Sequence, residues 1–336
     1  MGPSRRERRN QLRPLRFLPW ANPALMSARV PHPTKYPRPM PSILVLLFAV
    51  LLVTALPAQT RTQVVVLGTG TPNPDPERSG PAVAVVVNGT AYLVDAGAGV
   101  MRRAAQAARN GIGALFAPRI GILFLTHLHS DHTIGLPDVI HTGWVAGRER
   151  PLRLFGPPGT AELARHLTEA WSADIANRTR GLQPHTPEGW RVDARDVVEG
   201  VVYRDSQVTV TAFPVPHDGW KVSLGYRVES KDRRVVISGD TRPSDAVVKA
   251  CAGCDVLIHE VYSSEKFAGL DPKWRRYHAD AHTSATELAA LATRARPKLL
   301  VLYHQLYWGA SDSDLLREVR KTYPGAVVSA KDLGVY

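Results

Sequence analysis

Short apolar runs, each closed by turn-forming residues, set the rhythm of this chain from Thr62 onward. Gln63–Leu67, Ala82–Val87 and Ala91–Val94 read as strands, the last two joined at Asn88-Gly89, a pair that tolerates the positive φ of a tight hairpin. Ile120–Leu125 is an unbroken apolar run, as a strand buried on both faces requires. Leu152–Phe155, Val208–Phe213, Val222–Val228, Val235–Ser238, Val256–Ile258, Leu299–Tyr303 and Ala326–Val328 complete the predicted strands. Helical periodicity or composition marks Val100–Arg109, Thr160–Ile175, a segment from about Ser244, Ser284–Arg296 and Asp314–Lys321. The proline-rich Thr71–Pro81 and the segment Gly181–Gly200 read as irregular. Hairpins followed by strand–helix alternation predict an α/β fold, with sheets sandwiched between helical layers in one domain over 59–336.

The front of the chain has a different character. Ser42–Leu56 reads SILVLLFAVLLVTAL, long enough for a signal-peptide core and too short for a comfortable membrane span. Basic residues precede it and small ones follow, with cleavage placed after Ala55 or Ala58 and translation starting at Met1, Met26 or Met40. Residues 1–58 are therefore expected to be a basic leader and signal peptide. The mature protein would be periplasmic or secreted with no membrane span, and membrane-anchored if the leader is retained. The formal charge is +12, but residues 1–40 hold nine Lys or Arg against the single acid Glu7. That leaves about +4 for the body, which makes no strong case for a nucleic-acid partner. Cys251 and Cys254 cannot form a disulfide framework, and read as two small residues at a helix end.

The chemistry concentrates after the run Ile120–Leu125, in Thr126-His127-Leu128-His129-Ser130-Asp131-His132. Imidazole and carboxylate both suit zinc. On an extended segment His127 and His129 point the same way, while Asp131 and His132 follow where the chain turns and can face a second ion. Three more candidates share one placement, the C-terminal end of an apolar strand: His217 after VTVTAFPVP, Asp240 after RRVVISG and His304 after KLLVLY. Strand ends on one edge of a sheet are where loops converge on a site. Gly97-Ala98-Gly99 mimics a dinucleotide fingerprint, but its third glycine position is Arg102. His141, His166 and His185 are assigned no role, and His259 reads as structural.

The H-x-H-x-D-H run, the opening LGTGTPNP, the strand end LVDAGAG, the SGDT around Asp240 and the LIHE run at His259-Glu260 resemble the metallo-β-lactamase superfamily. Within it they resemble the ribonuclease Z-like branch. The run RSGPAVAVVVNGTAYLVDAGAGVMRR and the leader are most similar to arylsulfatase-type members. The resemblance implies an αββα four-layer sandwich and two zinc ions, with manganese or iron as open alternatives. It implies His127, His129 and His217 on one ion, Asp131, His132 and His304 on the other, and Asp240 bridging. It also implies that His282, in the run Ala281-His282-Thr283-Ser284, assists the leaving group, oriented by Glu260, with Asp131 acting at the ions and His278 as a competitor for the proton-donor role. Asp95 is a candidate to orient a ligand histidine.

These residues predict a hydrolase using a metal-bridging hydroxide on a small anionic ester, an aryl sulfate or phosphate ester. Two divalent ions outweigh two aspartates and a hydroxide, which favours an anionic substrate. Trp144, Trp220 and Trp308 are candidates to stack an aryl or sugar group. The alternative is a ribonuclease Z-like phosphodiesterase acting at tRNA 3′ ends. True members of that group resemble this chain in the metal core but carry a long tRNA-binding arm, where only 22 residues separate His217 from Asp240 here. The expectation is accordingly against nucleic acid. A metal-binding or sensing protein is the non-enzymatic alternative, and a homodimer is left open.

Overall fold

The computed structural model describes residues 62–336; the leader, its apolar run and both cleavage positions lie outside the described residues. The first half contains β1 (Thr62–Gly68), β2 (Ala82–Val87), β3 (Thr90–Val94), α1 (Val100–Arg109), β4 (Ile122–Phe124), α2 (Ser130–Thr133), α3 (Leu136–Val145), β5 (Leu152–Gly156), α4 (Thr160–Ala170), α5 (Ser172–Arg180) and β6 (Val192–Asp196). Its six strands form one sheet in chain order, antiparallel through β3 and parallel from β3 to β6.

The second half contains β7 (Gly200–Arg204), β8 (Thr209–Val215), β9 (Ser223–Glu229), β10 (Arg234–Ile237), α6 (Asp245–Cys251), β11 (Val256–Tyr262), α7 (Ser264–Phe267), α8 (Pro272–Ala281), α9 (Ala285–Ala295), β12 (Leu299–Leu306), α10 (Asp312–Arg320) and β13 (Val327–Ser329). Its seven strands lie in the order β13-β12-β11-β10-β9-β8-β7. Parallel pairs β10·β11, β11·β12 and β12·β13 carry helical crossovers, as parallel neighbours must.

Strand alternation builds the layers. In β1 and β2, Val64, Val66, Val83 and Val85 face the second sheet, where they meet Tyr226, Val228, Val301 and Tyr303 in one central core. Their neighbours Val65, Leu67, Ala84 and Val86 face outward under α1, α3 and α4. The second sheet does the same, with Leu300 and Leu302 packing outward against α6, α9 and α10. This is why β2 is apolar at every position: both faces are buried. The expected αββα sandwich is the observed one. The β2–β3 turn has Asn88 at φ 46° and Gly89 at φ 80°, the conformation the pair was expected to supply.

Local expectations needed correction. The predicted helix Thr160–Ile175 is two helices broken at Trp171, with no proline or glycine to announce the break. The segment Gly181–Gly200 contains β6, whose half-exposed polar pattern hid it. Helices α3 and α8 were not anticipated; α8 carries no clear apolar stripe, while α3 does, burying Leu136, Val139, Ile140 and Trp144. Cys251 ends α6 and is disulfide-bonded to Cys254.

Candidate metal centre

The run that follows β4 stays extended to His129 (φ −60°, ψ 148°) and then turns into α2. His127 Nε2 lies 3.0 Å from His129 Nδ1, and His217 Nε2 lies 3.2 Å from that same atom. Facing them, His304 Nε2 is 3.2 Å from Asp131 Oδ2 and 3.5 Å from Asp240 Oδ2. His132 Nε2 is 3.5 Å and 3.4 Å from those two oxygens. Asp240 also groups with His127 and His132, which ties the two halves together. Tetrahedral donors 2.0–2.1 Å from an ion are separated by roughly 3.3 Å, so these spacings are those of ligands around shared ions. All seven residues singled out in the sequence converge here.

Backbone devices aim two of them, His304 and Asp240. In β12, Glu260 pairs with Tyr303 and Val261 with Gln305, leaving His304 as the extra residue of a bulge at φ 45°. Strict alternation would turn its ring outward beside Leu302; the bulge re-aims it. Before Asp240 stands Gly239 at φ 64°, where an added Cβ would meet the Leu224 carbonyl oxygen at 2.7 Å and Thr126 Cβ at 3.0 Å. Only glycine lets the chain pass there. Asp95, at φ 63° after β3, accepts from Thr126 N (2.8 Å), Thr126 Oγ1 (2.9 Å) and His132 Nδ1 (2.9 Å). That bond leaves His132 Nε2 as the free donor atom, the usual arrangement of a metal-binding histidine. His217 Nδ1 likewise donates to the Ala281 carbonyl at 2.7 Å.

The electrostatics favour positive charge in the centre. Burial lowers His132 and His304, but Asp240 and Asp95 around the first, and Asp240 and Asp131 around the second, outweigh it and raise both. His127, fully buried among other imidazoles, is driven well down toward its neutral form. His132 Nε2 and Asp240 Oδ1 are buried without a hydrogen-bond partner, a costly state that cations resolve. The donor set therefore fits divalent ions.

Glu260 and His282 flank this centre. His282 Nδ1 is 3.4 Å from Glu260 Oε2 and 3.9 Å from Asp240 Oδ2. Burial and the charge of Asp240 raise Glu260, and burial takes His282 down to about 4. Glu260 Oε1 accepts from Thr283 N at 2.7 Å, fixing the loop that carries His282. His278 lies behind, its ring 5.4 Å from that of His282. His259 bonds to the Glu260 carbonyl, with its other nitrogen unpartnered, and His141 stacks near Trp171.

At the rim, Trp220 Nε1–H donates to His129 Nε2 at 3.0 Å. A cavity of about 250 Å³ lined by Trp220, Arg242, Asp218 and Asp280 opens beside His217. Trp308 packs on His278 at 4.7 Å, while Trp144 is buried core, bonded to the Thr186 carbonyl. A larger groove of about 680 Å³, lined by Arg119, Arg150 and Arg153, lies where β4 and β5 begin, away from the centre.

The Beta-lactamase superfamily domain matches residues 90–305. A ribonuclease Z of Mycolicibacterium gilvum is 38% identical over 230 residues, covering 68% of this chain and 78% of that protein. The chain belongs to the beta-lactamase superfamily, in its ribonuclease Z-like branch. A ribonuclease Z of Mycobacterium bovis is 36% identical, over 68% of this chain and 80% of its own length. Among solved structures, the human tRNase Z short form is 25% identical with a TM-score of 0.62, covering 82% of this chain and 98% of that one. As a member of this branch the protein is a metal-dependent hydrolase.

The ribonuclease Z relatives overturn two expectations, that of a small anionic ester such as an aryl sulfate as the substrate and that against nucleic acid. Both had physical origins. The motifs read as arylsulfatase-like belong to the metal core and its supporting loops, which do not select an ester. A near-neutral body says nothing of local patches, and α8 carries the run Lys273-Trp274-Arg275-Arg276-Tyr277-His278.

Proposed function

We propose that this protein is a dinuclear metal-dependent phosphodiesterase of the ribonuclease Z type, acting on RNA, with precursor tRNA carrying a 3′ extension as its substrate class. The observation that carries the reading is 38% identity to a ribonuclease Z over 68% of the chain. His127, His129 and His217 hold one ion, Asp131, His132 and His304 the other, with Asp240 between them; zinc suits this nitrogen-rich set. When bound, the ions supply a nucleophile of lowered pKa and a positive field for phosphoryl oxygens. The protein's own groups do the rest. Asp95 holds His132 in one tautomer, Asp131 and Asp240 set the charge of the centre, and Glu260 orients His282. His282, whose own pKa is lowered, passes to the departing oxygen a proton drawn from Glu260, whose carboxyl is held toward its protonated form, the step that matters most when that oxygen leaves as an alkoxide.

The test uses the full chain, stripped by chelator and reconstituted with zinc, on an end-labelled precursor tRNA with a 3′ trailer. 4-Nitrophenyl sulfate and bis(4-nitrophenyl) phosphate run alongside. Chelator-sensitive trailer removal is expected; sulfate turnover with intact RNA would overturn the proposal.

A further inference from the structure

The span from His217 to Asp240 is filled by β9, β10 and their connections, so any grip on a long RNA comes from elsewhere on the body. We propose that α8 is that grip: Lys273 and Arg276 hold backbone phosphates, and Trp274 stacks an unpaired base flanking the scissile phosphate. The proposal rests on the RNA phosphodiesterase reading above.

Four observations lead there. Between Asp271, which caps the helix, and Asp280, α8 carries three cations, two large aromatics and a histidine with no acid among them. Several cations elsewhere are tied up: Arg317 and Lys321 pair with Glu265, Arg294 with Asp245 and Arg178 with Asp174. Among the described residues Lys273, Arg275 and Arg276 enter no such pair. Lys273 and Arg276, three apart, share one helix face. Trp274 is 58% exposed, so its indole is open to a ligand.

The fourth observation connects this surface to the metal centre. Trp274 stacks on His278 with ring centroids 5.7 Å apart at 24°. His278 lies 5.4 Å from His282 at 37°, and His282 stacks on His304 at 5.8 Å and 18°. A row of rings, stacked at both ends and tilted by 37° in the middle, thus runs from His304 to the surface, ending in an indole. Tyr277 flanks it, 6.1 Å from the His282 ring. Bases stack on aromatic faces while cations track the backbone, and about 4 nucleotides is the smallest site such surfaces use. A strand of that length laid along α8 leads its backbone to the ions.

The experiment measures binding of a fluorescein-labelled single-stranded RNA to the zinc-loaded full chain by anisotropy, across a salt series. The proteins are wild type, Trp274→Ala, Trp274→Phe and the double variant Lys273→Gln/Arg276→Gln. Trp274→Ala is expected to weaken binding on the order of tenfold, with Phe restoring most of it. The double variant should lower the slope of log affinity against log salt by roughly 1.4, two phosphate contacts at about 0.7 each. The ratio of kcat/KM for RNA to that for bis(4-nitrophenyl) phosphate should fall in both, chiefly through KM. Wild-type affinity, slope and ratio in both variants would overturn the α8 assignment even if the wild type cleaves RNA. Losses of binding in a protein that cuts no RNA would sustain α8 and overturn the phosphodiesterase reading instead.

Discussion

Replacing Asp95 with asparagine keeps the side chain's shape and removes its charge, and the structure sets the consequence. The carboxylate is 1% exposed and accepts from Thr126 N and Oγ1 and from His132 Nδ1. An amide offers one acceptor oxygen. If its nitrogen faces His132, two donors oppose each other across 2.9 Å; if it faces Thr126 N, they do so across 2.8 Å. Either arrangement leaves a buried donor unsatisfied, at about 1–3 kcal/mol. Escape by the other His132 tautomer places a proton on Nε2, the atom turned toward Asp131 and Asp240. Asp95→Asn is therefore expected to weaken one of two ions by about 10–100-fold, with a smaller effect on the ion assigned to His127, His129 and His217. Competition with a chromophoric chelator, resolving two affinities, measures this directly. Two unchanged affinities in a folded Asp95→Asn protein would refute the argument that Asp95 sets the His132 tautomer.

His282→Ala should retain both ions and lose about 10²–10⁴-fold in kcat on RNA, but far less on bis(4-nitrophenyl) phosphate, whose leaving group needs no proton; equal losses on both would remove His282 from proton transfer. If His129 Nδ1 binds an ion, its Nε2 carries the ring proton and opposes the Trp220 N–H, so zinc should shift the emission of Trp220, read as the difference between wild type and Trp220→Phe; identical zinc responses would contradict this. Burial raises the Asp205 carboxyl, but hydrogen bonds from Tyr92, Gln207, Val208 and Tyr203 outweigh it and hold it below the usual carboxylate range. Its contribution is then complete above the unfolded pKa of about 4 and lost as pH falls through the lower folded value. Urea unfolding of Asp205→Asn should show a flatter acid limb than wild type, and parallel curves would dismiss the assignment.

The layers were legible because both sheets obey elementary burial. Val83 and Val85 face one core and Ala84 and Val86 another, so the strand is apolar throughout and stands out in any reading. The convergence of the seven candidate donors was legible because they are chemically distinctive and sit at strand ends. The means of their assembly were not. The bulge that turns His304 and the passage of Gly239 past Leu224 depend on contacts between strands far apart in sequence. The break at Trp171 and the edge strand β6 lack the residues that announce such features. Helix α8 was readable in principle: Asp271 caps it and Pro272 opens it. Its apolar periodicity is weak because only His278 and Ala281 are buried.

The central claim, that this fold holds two ions to cut RNA, is tested most directly by titrating zinc into the metal-free full chain while following cleavage of a precursor tRNA. Cleavage that is absent without metal, rises with added zinc and saturates at two equivalents per chain is the predicted result. Full cleavage by the metal-free protein, saturation at one equivalent, or no cleavage at any zinc level would contradict it.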